Sequence, residues 1–427
     1  MQRRFNVVLV TAIALVAPGS TATQPDDPDS APPVVTFDRC GTFVADGQRF
    51  FPIGLTMPPP LGSRTPWGRG ALPELVRAGV TLYRTGAYVE DWTDATIEQA
   101  RRWNAAAAAH GVYTWVNLRE LARATPGSKE EQKLRHVVEA LRNSAGMGFW
   151  KGLDEPWPRL QPAALANAYR IVKRIDPNHA FLTIFAPRCR HRTMLVHAPD
   201  PRNLRPYGAV TDAAGVDVYP IYYRALGRRE PKLHMVGAWT RAIRRATGVN
   251  AMTTTLQICF AGSDDPRGSG RYVLPTRRQE RFMMYDSILN GARGLVFYGG
   301  ELRHCMTDAD ARRGWNWTFW RRVLRGLVRE IGIRSPLHAA LLRPETTTRL
   351  RASHPGTQAI TRRVGANDLW VLATHRGSGA ATISLRGLPL WARSGRVYPS
   401  GAAISARGGE LRDDFREWGV RVYRFRR

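Results

Sequence analysis

Lysine is almost absent from this chain. Only five of its 63 basic residues are lysine, which leaves 58 arginines against 35 acidic residues and a formal net charge of +28. Such an excess of positive charge is typical of proteins that bind acidic polymers. However, the arginines are spread along the sequence, and no helix-turn-helix, zinc-finger or RNP pattern is present. We therefore expect no specific nucleic-acid partner.

Cysteine is also scarce, and its spacing excludes the common metal-binding patterns. The four cysteines, Cys40, Cys189, Cys259 and Cys305, form no C-x-x-C pair and lie in no histidine-rich segment. We expect no metal site and no organic cofactor. In an exported chain these cysteines permit up to two disulfides with three pairings, which the sequence leaves open. Cys259, inside an apolar run, is equally compatible with a buried free thiol.

Long apolar runs are missing as well. The first residues resemble an export signal, with Arg3 and Arg4 before the apolar stretch Phe5–Ala17 and small residues at 20–22. No later run approaches the length of about 20 apolar residues that spans a bilayer. We predict a signal peptide over residues 1–22, a disordered acidic and proline-rich linker over 23–33, and no transmembrane segment after cleavage. The expected location is secreted or extracytoplasmic, and the oligomeric state is undetermined.

Eight nearly continuous apolar runs alternate with helical patterns in the middle of the chain, which is typical of buried parallel strands. An open doubly wound sheet gives the same alternation, but no G-x-G-x-x-G follows the first run, and a count of eight fits closure. We predict an α/β fold with a (β/α)8 TIM barrel over residues 34–343, preceded by a hairpin that turns at Asp46-Gly47. The runs are Phe51–Leu55, Val80–Arg84, Val112–Leu118, Phe149–Asp154, Ala180–Phe185, Ala214–Tyr219, Met252–Cys259 and Gly294–Tyr298.

The pattern changes near Pro344. From there, short strand-like runs are separated by Gly, Asn, Asp or Ser. This spacing predicts a small C-terminal antiparallel β-sandwich over residues 344–427.

Polar and aromatic residues gather where the predicted barrel strands end, which is where barrel enzymes carry their catalytic groups. The most informative ending is that of the fourth strand, where Asp154 and Glu155 precede Pro156. Aromatic faces at such positions bind pyranose rings, and Trp315 and Trp317 are further candidates for the rim. The predicted substrate-binding residues are Arg84, Trp115, Asn117, Trp157, Tyr219, Gln257, Tyr298 and Glu301.

The segment GFWKGLDEP resembles the NEP-bearing fourth strand of clan A-type (β/α)8 glycoside hydrolases. GTFVADGQRFFPIGL is similar to their hairpin into the first strand, and LYRTG to their arginine-bearing second strand. The likeness spans roughly residues 34–340. It implies a carbohydrate substrate, Glu155 as the general acid/base, and Arg84 in a supporting role beside the sugar.

One departure from the family pattern leaves the mechanism open. Retaining members carry a glutamate nucleophile at the end of the seventh strand, where this chain has Gln257, and glutamine cannot form the glycosyl ester. In a first interpretation Asp217 activates water, at the inverting separation of about 6.5–9.5 Å from Glu155. In a second, Asp154 steers a substrate acetamido group, as in N-acetylhexosaminidases. In a third, catalysis is lost.

The sequence thus predicts a secreted glycoside hydrolase-like protein that cleaves a poly- or oligosaccharide. The catalytic candidates are Glu155, Asp154 and Asp217. The alternative is a non-catalytic glycan- or cell-envelope-binding protein on a degenerate barrel. The sugar, the linkage and the choice between endo and exo action are undetermined.

Overall fold

The structure is a computed structural model that describes residues 33–86, 91–187, 201–221, 232–259 and 274–427. The predicted signal peptide, residues 23–32 of the predicted linker, and Cys189 lie outside the described residues. Within these ranges, no helix combines the length and the apolar character needed to cross a bilayer.

The described chain starts with a three-stranded antiparallel sheet, β1 (Val35–Phe37), β2 (Phe43–Ala45) and β3 (Gln48–Phe50). The turn between β2 and β3 is Asp46-Gly47, with φ of 48° and 76°, as the two-residue type I′ hairpin requires. The predicted hairpin is confirmed. Phe43 meets Phe149 edge to face at 5.1 Å between ring centroids, so this sheet covers the N-terminal end of the following barrel.

Eight parallel strands close into a barrel in the order β10-β11-β4-β5-β6-β7-β8-β9. The predicted (β/α)8 barrel is confirmed, and each predicted run overlaps one strand. The strands are β4 (Ile53–Leu55), β5 (Leu82–Thr85), β6 (Tyr113–Asn117), β7 (Met147–Asp154), β8 (Ala180–Phe185), β9 (Ala213–Asp217), β10 (Met252–Gln257) and β11 (Gly294–Tyr298).

Helices follow the barrel strands and bury one apolar face each. In α6, for example, Val236, Trp239 and Ile243 are buried at helical spacing. Trp320–Leu324 is a π-helical segment between α9 and α10. The α-helices of the described residues are α1 (Ala71–Ala78), α2 (Asp94–Ala108), α3 (Lys129–Leu141), α4 (Ala163–Ile175), α5 (Pro201–Leu204), α6 (Met235–Thr247), α7 (Arg277–Leu289), α8 (Asp308–Ala311), α9 (Trp317–Phe319), α10 (Arg325–Ile331) and α11 (His338–Leu341).

The C-terminal part is an eight-stranded antiparallel sheet in the order β12-β15-β18-β17-β16-β19-β14-β13. Its two halves share one apolar core that includes Val371, Leu385 and Phe425, which is compatible with the predicted sandwich. The predicted boundary at 343/344 lies between the end of α11 and the start of β12. The strands are β12 (Arg351–Ala352), β13 (Thr357–Val364), β14 (Asp368–His375), β15 (Ala381–Arg386), β16 (Ser394–Tyr398), β17 (Ala403–Arg407), β18 (Glu410–Phe415) and β19 (Gly419–Arg426).

One disulfide lies in the described residues. It joins Cys259, just after β10, to Cys305, beyond β11. The interpretation of Cys259 as a free thiol is therefore wrong. Cys40 is a free thiol.

Candidate active site

The candidate site lies at the C-terminal end of the barrel, above its apolar interior. Side chains alternate between the two faces of a strand, and the buried Leu82, Trp115 and Phe149 pack together inside the barrel. The residues two positions further along these strands therefore face the interior nearer the C-terminal mouth. They are Arg84, Asn117 and Lys151. The same alternation brings Asp217, Gln257 and Tyr298 to this mouth from β9, β10 and β11.

The end of β7 is distorted so that two consecutive acids reach the mouth. The register against β8 shifts between Lys151 and Asp154, which is the signature of a bulge that re-aims side chains. Glu155 then takes a left-handed conformation with φ of 49°, and its backbone N–H donates to the Ile184 carbonyl at 2.9 Å. In a regular strand, Asp154 and Glu155 would point to opposite faces. Because of the bulge and the turn, both side chains reach the mouth of the barrel.

Glu155 and Asp217 form a coupled carboxyl pair across the mouth. Burial raises the pKa of Asp217 well above its usual range, and the charges of Glu155 and Asp154 and a hydrogen bond with Glu155 raise it further. Two close carboxyl groups cannot both ionise easily, so the pair retains a proton that the buried Asp217 favours. The predicted water-filled inverting gap between these two groups is wrong, because they touch directly.

Asp154 is held by a cation from the same strand. Lys151, whose side chain is only 4% exposed, binds the Asp154 carboxylate at 2.8 Å and reaches the Asn117 side-chain oxygen at 3.4 Å. The predicted substrate residue Asn117 therefore also supports Lys151. We did not predict Lys151 as a site residue, although a lysine inside an apolar strand is itself a signal, since burying a charge is costly without a partner.

Tyr219 and Tyr298 stack on each other with ring centroids 5.3 Å apart. Burial and the neighbouring charge of Asp217 raise the pKa of Tyr219 above its usual range, so its hydroxyl stays protonated and can donate a hydrogen bond. The two predicted tyrosines thus border the carboxyl pair on the β9–β11 side of the mouth.

Gln257 does not have the role that we predicted. It is fully buried, its side-chain oxygen accepts from the Ile221 N–H at 2.8 Å, and its Nε2 donates to the Ile221 carbonyl at 2.8 Å. The amide therefore fastens the chain that follows β9 to the end of β10. The prediction that Gln257 contacts a sugar is wrong.

Three predicted aromatic contacts are also wrong. Trp115 is 1% exposed and belongs to the interior of the barrel. Trp315 and Trp317 are 0% and 1% exposed, and the Trp315 Nε1 donates to the Met57 carbonyl at 2.9 Å. In each case the indole ring is buried in the core and is not exposed at the mouth of the barrel. Trp157 is half-buried and stays a predicted substrate residue.

Glu301 is a further carboxyl group at this end of the barrel, remote in sequence from the Glu155–Asp217 pair. Both of its carboxyl oxygens are buried and have no hydrogen-bond partner among the described residues. Burial raises its pKa to about 7, against the opposing effect of the Arg84 guanidinium. Gly299 and Gly300 pack tightly before it, because a Cβ at these positions would lie 2.6 Å from the Cys259 carbonyl oxygen and 2.4 Å from the Trp315 Nε1.

The disulfide lies next to an imidazole that we did not expect beside it. The Cys259 Sγ is 3.5 Å from the His304 Nε2, and Cys259, His304 and Cys305 offer donor atoms within 4.8 Å of one another. These are donor types that bind zinc. In the disulfide form, however, the two sulfurs are not the thiolates that a metal requires. Cys259 and His304 are 45 residues apart in the sequence, so no sequence motif indicated that they lie together.

The described chain thus forms a closed (β/α)8 barrel with carboxyl groups at its C-terminal mouth, followed by an antiparallel sheet. No protein-family model matches the sequence, and a search of curated proteins gave no significant match.

Solved structures of glycoside hydrolases share the fold. A family 5 glycoside hydrolase from Bacteroides vulgatus ATCC 8482 is 12% identical with a TM-score of 0.57, covering 92% of each chain. An α-amylase from Geobacillus thermoleovorans, complexed with acarbose, is 12% identical with a TM-score of 0.53, covering 89% of this chain and 100% of its own. A family 27 β-L-arabinopyranosidase from Geobacillus stearothermophilus, complexed with arabinose, is 10% identical with a TM-score of 0.54, covering 88% and 97%. At these identities the likeness establishes the fold.

Proposed function

We propose that the protein is a secreted glycoside hydrolase that cleaves glycosidic bonds in a poly- or oligosaccharide. The observation that carries this proposal is the Glu155–Asp217 carboxyl pair at the C-terminal mouth of the barrel. A carboxyl group whose pKa is raised by burial and by a neighbouring carboxyl group is the feature that a glycosidase needs to protonate a leaving oxygen.

In this mechanism Glu155 exchanges the proton with the substrate and Asp217 is its proton partner. The pair gives one proton to the glycosidic oxygen as the bond to the sugar carbon breaks, which leaves both carboxylates ionised. The water that replaces the leaving group on the sugar loses a proton, either to the pair or to the group on the other face of the sugar. Glu155 is the better placed to meet substrate, because it is partly exposed whereas Asp217 is 8% exposed.

The group that acts on the other face of the sugar is then one of two candidates. Asp154, whose carboxyl group is bound by Lys151, is suited to orient a 2-acetamido group that attacks from within the substrate. Glu301 is suited to accept a proton from water, since its pKa of about 7 lies close to the pH of operation. Activity on different substrates distinguishes Asp154 from Glu301, because only the mechanism with Asp154 requires a 2-acetamido sugar.

The test is hydrolysis of a glycan panel, with and without 2-acetamido sugars, by the full chain and by Glu155→Gln and Asp217→Asn. We expect Glu155→Gln to lower kcat/KM by roughly 10²–10⁴-fold, the usual contribution of general acid–base catalysis. Asp217→Asn should shift the pH optimum as well as lower the rate. Glu120→Gln is the matched control, because Glu120 is exposed and pairs with Arg123 at 2.7 Å on the surface; its activity should be unchanged.

The alternative, a non-catalytic protein that binds glycans or the cell envelope, is favoured by Gln257 at the position where retaining relatives carry a nucleophile. It makes the opposite prediction in the same experiment. Glycan binding that persists in Glu155→Gln, with hydrolysis in neither form, would replace the enzymatic proposal by this one.

A further inference from the structure

The opposite end of the barrel carries a pocket that the proposed activity does not use. It has a volume of about 570 Å³, and its described lining contains seven arginines and one acidic residue, Glu345. Asn250 lies two residues before β10 and Arg293 immediately precedes β11, so the pocket lies at the N-terminal end of the barrel strands, away from Glu155. The C-terminal sheet completes it through Ile360 and Arg362.

Three of these arginines are buried or half-buried cations without a carboxylate partner among the described residues. Arg362 is 2% exposed and Arg293 8%, and the Nη1 atoms of both donate to one acceptor, the Arg343 carbonyl oxygen. That shared acceptor holds two guanidinium groups side by side. Arg244 donates from Nη2 to the Asn250 side-chain oxygen at 3.1 Å. The Nε donors of Arg244 and Arg362 are buried and have no hydrogen-bond partner in the described part of the chain.

The nearby acids are already engaged with other arginines. Glu345 binds Arg349 at 3.4 Å, and Asp38 binds Arg49 at 3.0 Å. Burial and the positive charges of Arg293 and Arg244 lower the pKa of Arg362 to about 9, only partly opposed by Glu345. Like charges in a shielded pocket repel one another, and unsatisfied buried donors destabilise the fold. An anion with several acceptor oxygens relieves both.

We propose that this pocket binds a tetrahedral oxyanion of the phosphate type, either free or as the ester group of a small sugar. Arginine is suited to this ligand, because its planar fork matches the oxygen spacing of phosphate and its charge is permanent. The volume admits more than the oxyanion alone. Gly291, with φ of 106°, allows the Arg244 side chain to approach, since a Cβ there would lie 2.9 Å from its Cδ.

The test is binding of inorganic phosphate, glucose 6-phosphate and glucose to the full chain, by calorimetry and thermal unfolding at constant ionic strength. We expect both phosphates, and not glucose, to bind saturably and to raise Tm. At least tenfold tighter binding of glucose 6-phosphate would identify the ester as the ligand. Equal or weaker binding would identify the free oxyanion.

Arg244→Gln should weaken phosphate binding at least tenfold. Arg407→Gln is the matched control, because it removes the same charge from an exposed position on β17. Arg362→Lys retains the charge but loses the fork, and should also weaken binding; if it does not fold, the half-buried Arg244 decides the outcome. No saturable binding of either phosphate, or equal losses in Arg244→Gln and Arg407→Gln, would overturn the proposal.

Discussion

Glu155 occupies a backbone conformation that few glutamates adopt. A non-glycine residue with φ of 49° stores strain of the order of 1–3 kcal/mol, and such strain persists where the surrounding structure fixes it. Here the bulge in β7 and the hydrogen bond to the Ile184 carbonyl fix it. This conformation turns Glu155 toward Asp217. The backbone strain at Glu155 and the pairing of the two carboxyl groups therefore have the same structural origin.

Glu301 gives a pH-dependent prediction at the scale of one residue. Its pKa rises from 4.5 to about 7 because of burial, so the folded protein binds a proton that the unfolded chain releases. Stability is therefore lost as pH rises from about 4.5 to 7 and is level above that. Glu301→Gln removes this loss, and we expect it to be more stable than the unchanged protein by roughly 1–3 kcal/mol at pH 8.

The measurement is thermal unfolding at pH 5 and pH 8, with the exposed Glu120→Gln as control. The difference between Glu301→Gln and the unchanged protein should be small at pH 5 and large at pH 8. A difference that is the same at both pH values would contradict a buried, protonated carboxyl at this position.

At the scale of elements, the segment after β11 is fixed at several points. Gly299 packs on the Cys259 carbonyl, Asn316 Nδ2 donates to the Cys305 carbonyl at 2.9 Å, and the disulfide joins Cys259 to Cys305. Together these contacts hold the segment that carries Glu301 against the end of β10. These contacts therefore support the buried Glu301 carboxyl group.

Removing the disulfide should loosen this segment. The bond closes a loop with a sequence separation of 46, for which chain entropy predicts a contribution of about 4 kcal/mol at most. We expect Cys259→Ala with Cys305→Ala to lower the free energy of unfolding by up to this amount, and to increase hydrogen exchange in residues 299–305 first. Cys40→Ala, at the free thiol, should leave exchange in this segment unchanged; equal effects would rule out a local clamp.

At the scale of the whole molecule, one buried ion pair ties the barrel to the C-terminal sheet. On α7, Arg281 binds Glu330 of α10 at 2.7 Å with side chains 19% and 4% exposed. Its Nη1 donates to the Val420 carbonyl on β19 at 2.9 Å, and Tyr285 also donates to Glu330 at 2.7 Å. Three separate elements thus meet at one guanidinium.

Arg281→Met leaves the Glu330 charge buried, and we expect a loss of about 3–5 kcal/mol in the free energy of unfolding. Changing both Arg281 and Glu330 to Met should restore much of the lost free energy of unfolding. Arg278→Met is the control on the same helix, because Arg278 is 56% exposed and lies 3.8 Å from Glu417; it should cost less than about 1 kcal/mol. Denaturant unfolding of the three variants and the unchanged protein measures these differences, and equal losses at Arg281 and Arg278 would contradict the assignment.

The sequence by itself determined the barrel, the hairpin and the strand-end position of Asp154, Glu155 and Asp217, because apolar periodicity and turn residues act locally. Boundaries were less exact. The predicted run Met252–Cys259, for example, extends two residues beyond β10, which ends at Gln257.

Only the tertiary structure decided which of these residues meet. Three features depend on distances across the barrel. They are the contact between Glu155 and Asp217, the hydrogen bonds between Gln257 and Ile221, and the burial of Trp115. Seven arginines from separate segments of the sequence converge in one pocket between the barrel and the C-terminal sheet. Periodicity fixes the face on which a residue lies, but charge, burial and pairing across elements depend on packing that no local pattern encodes.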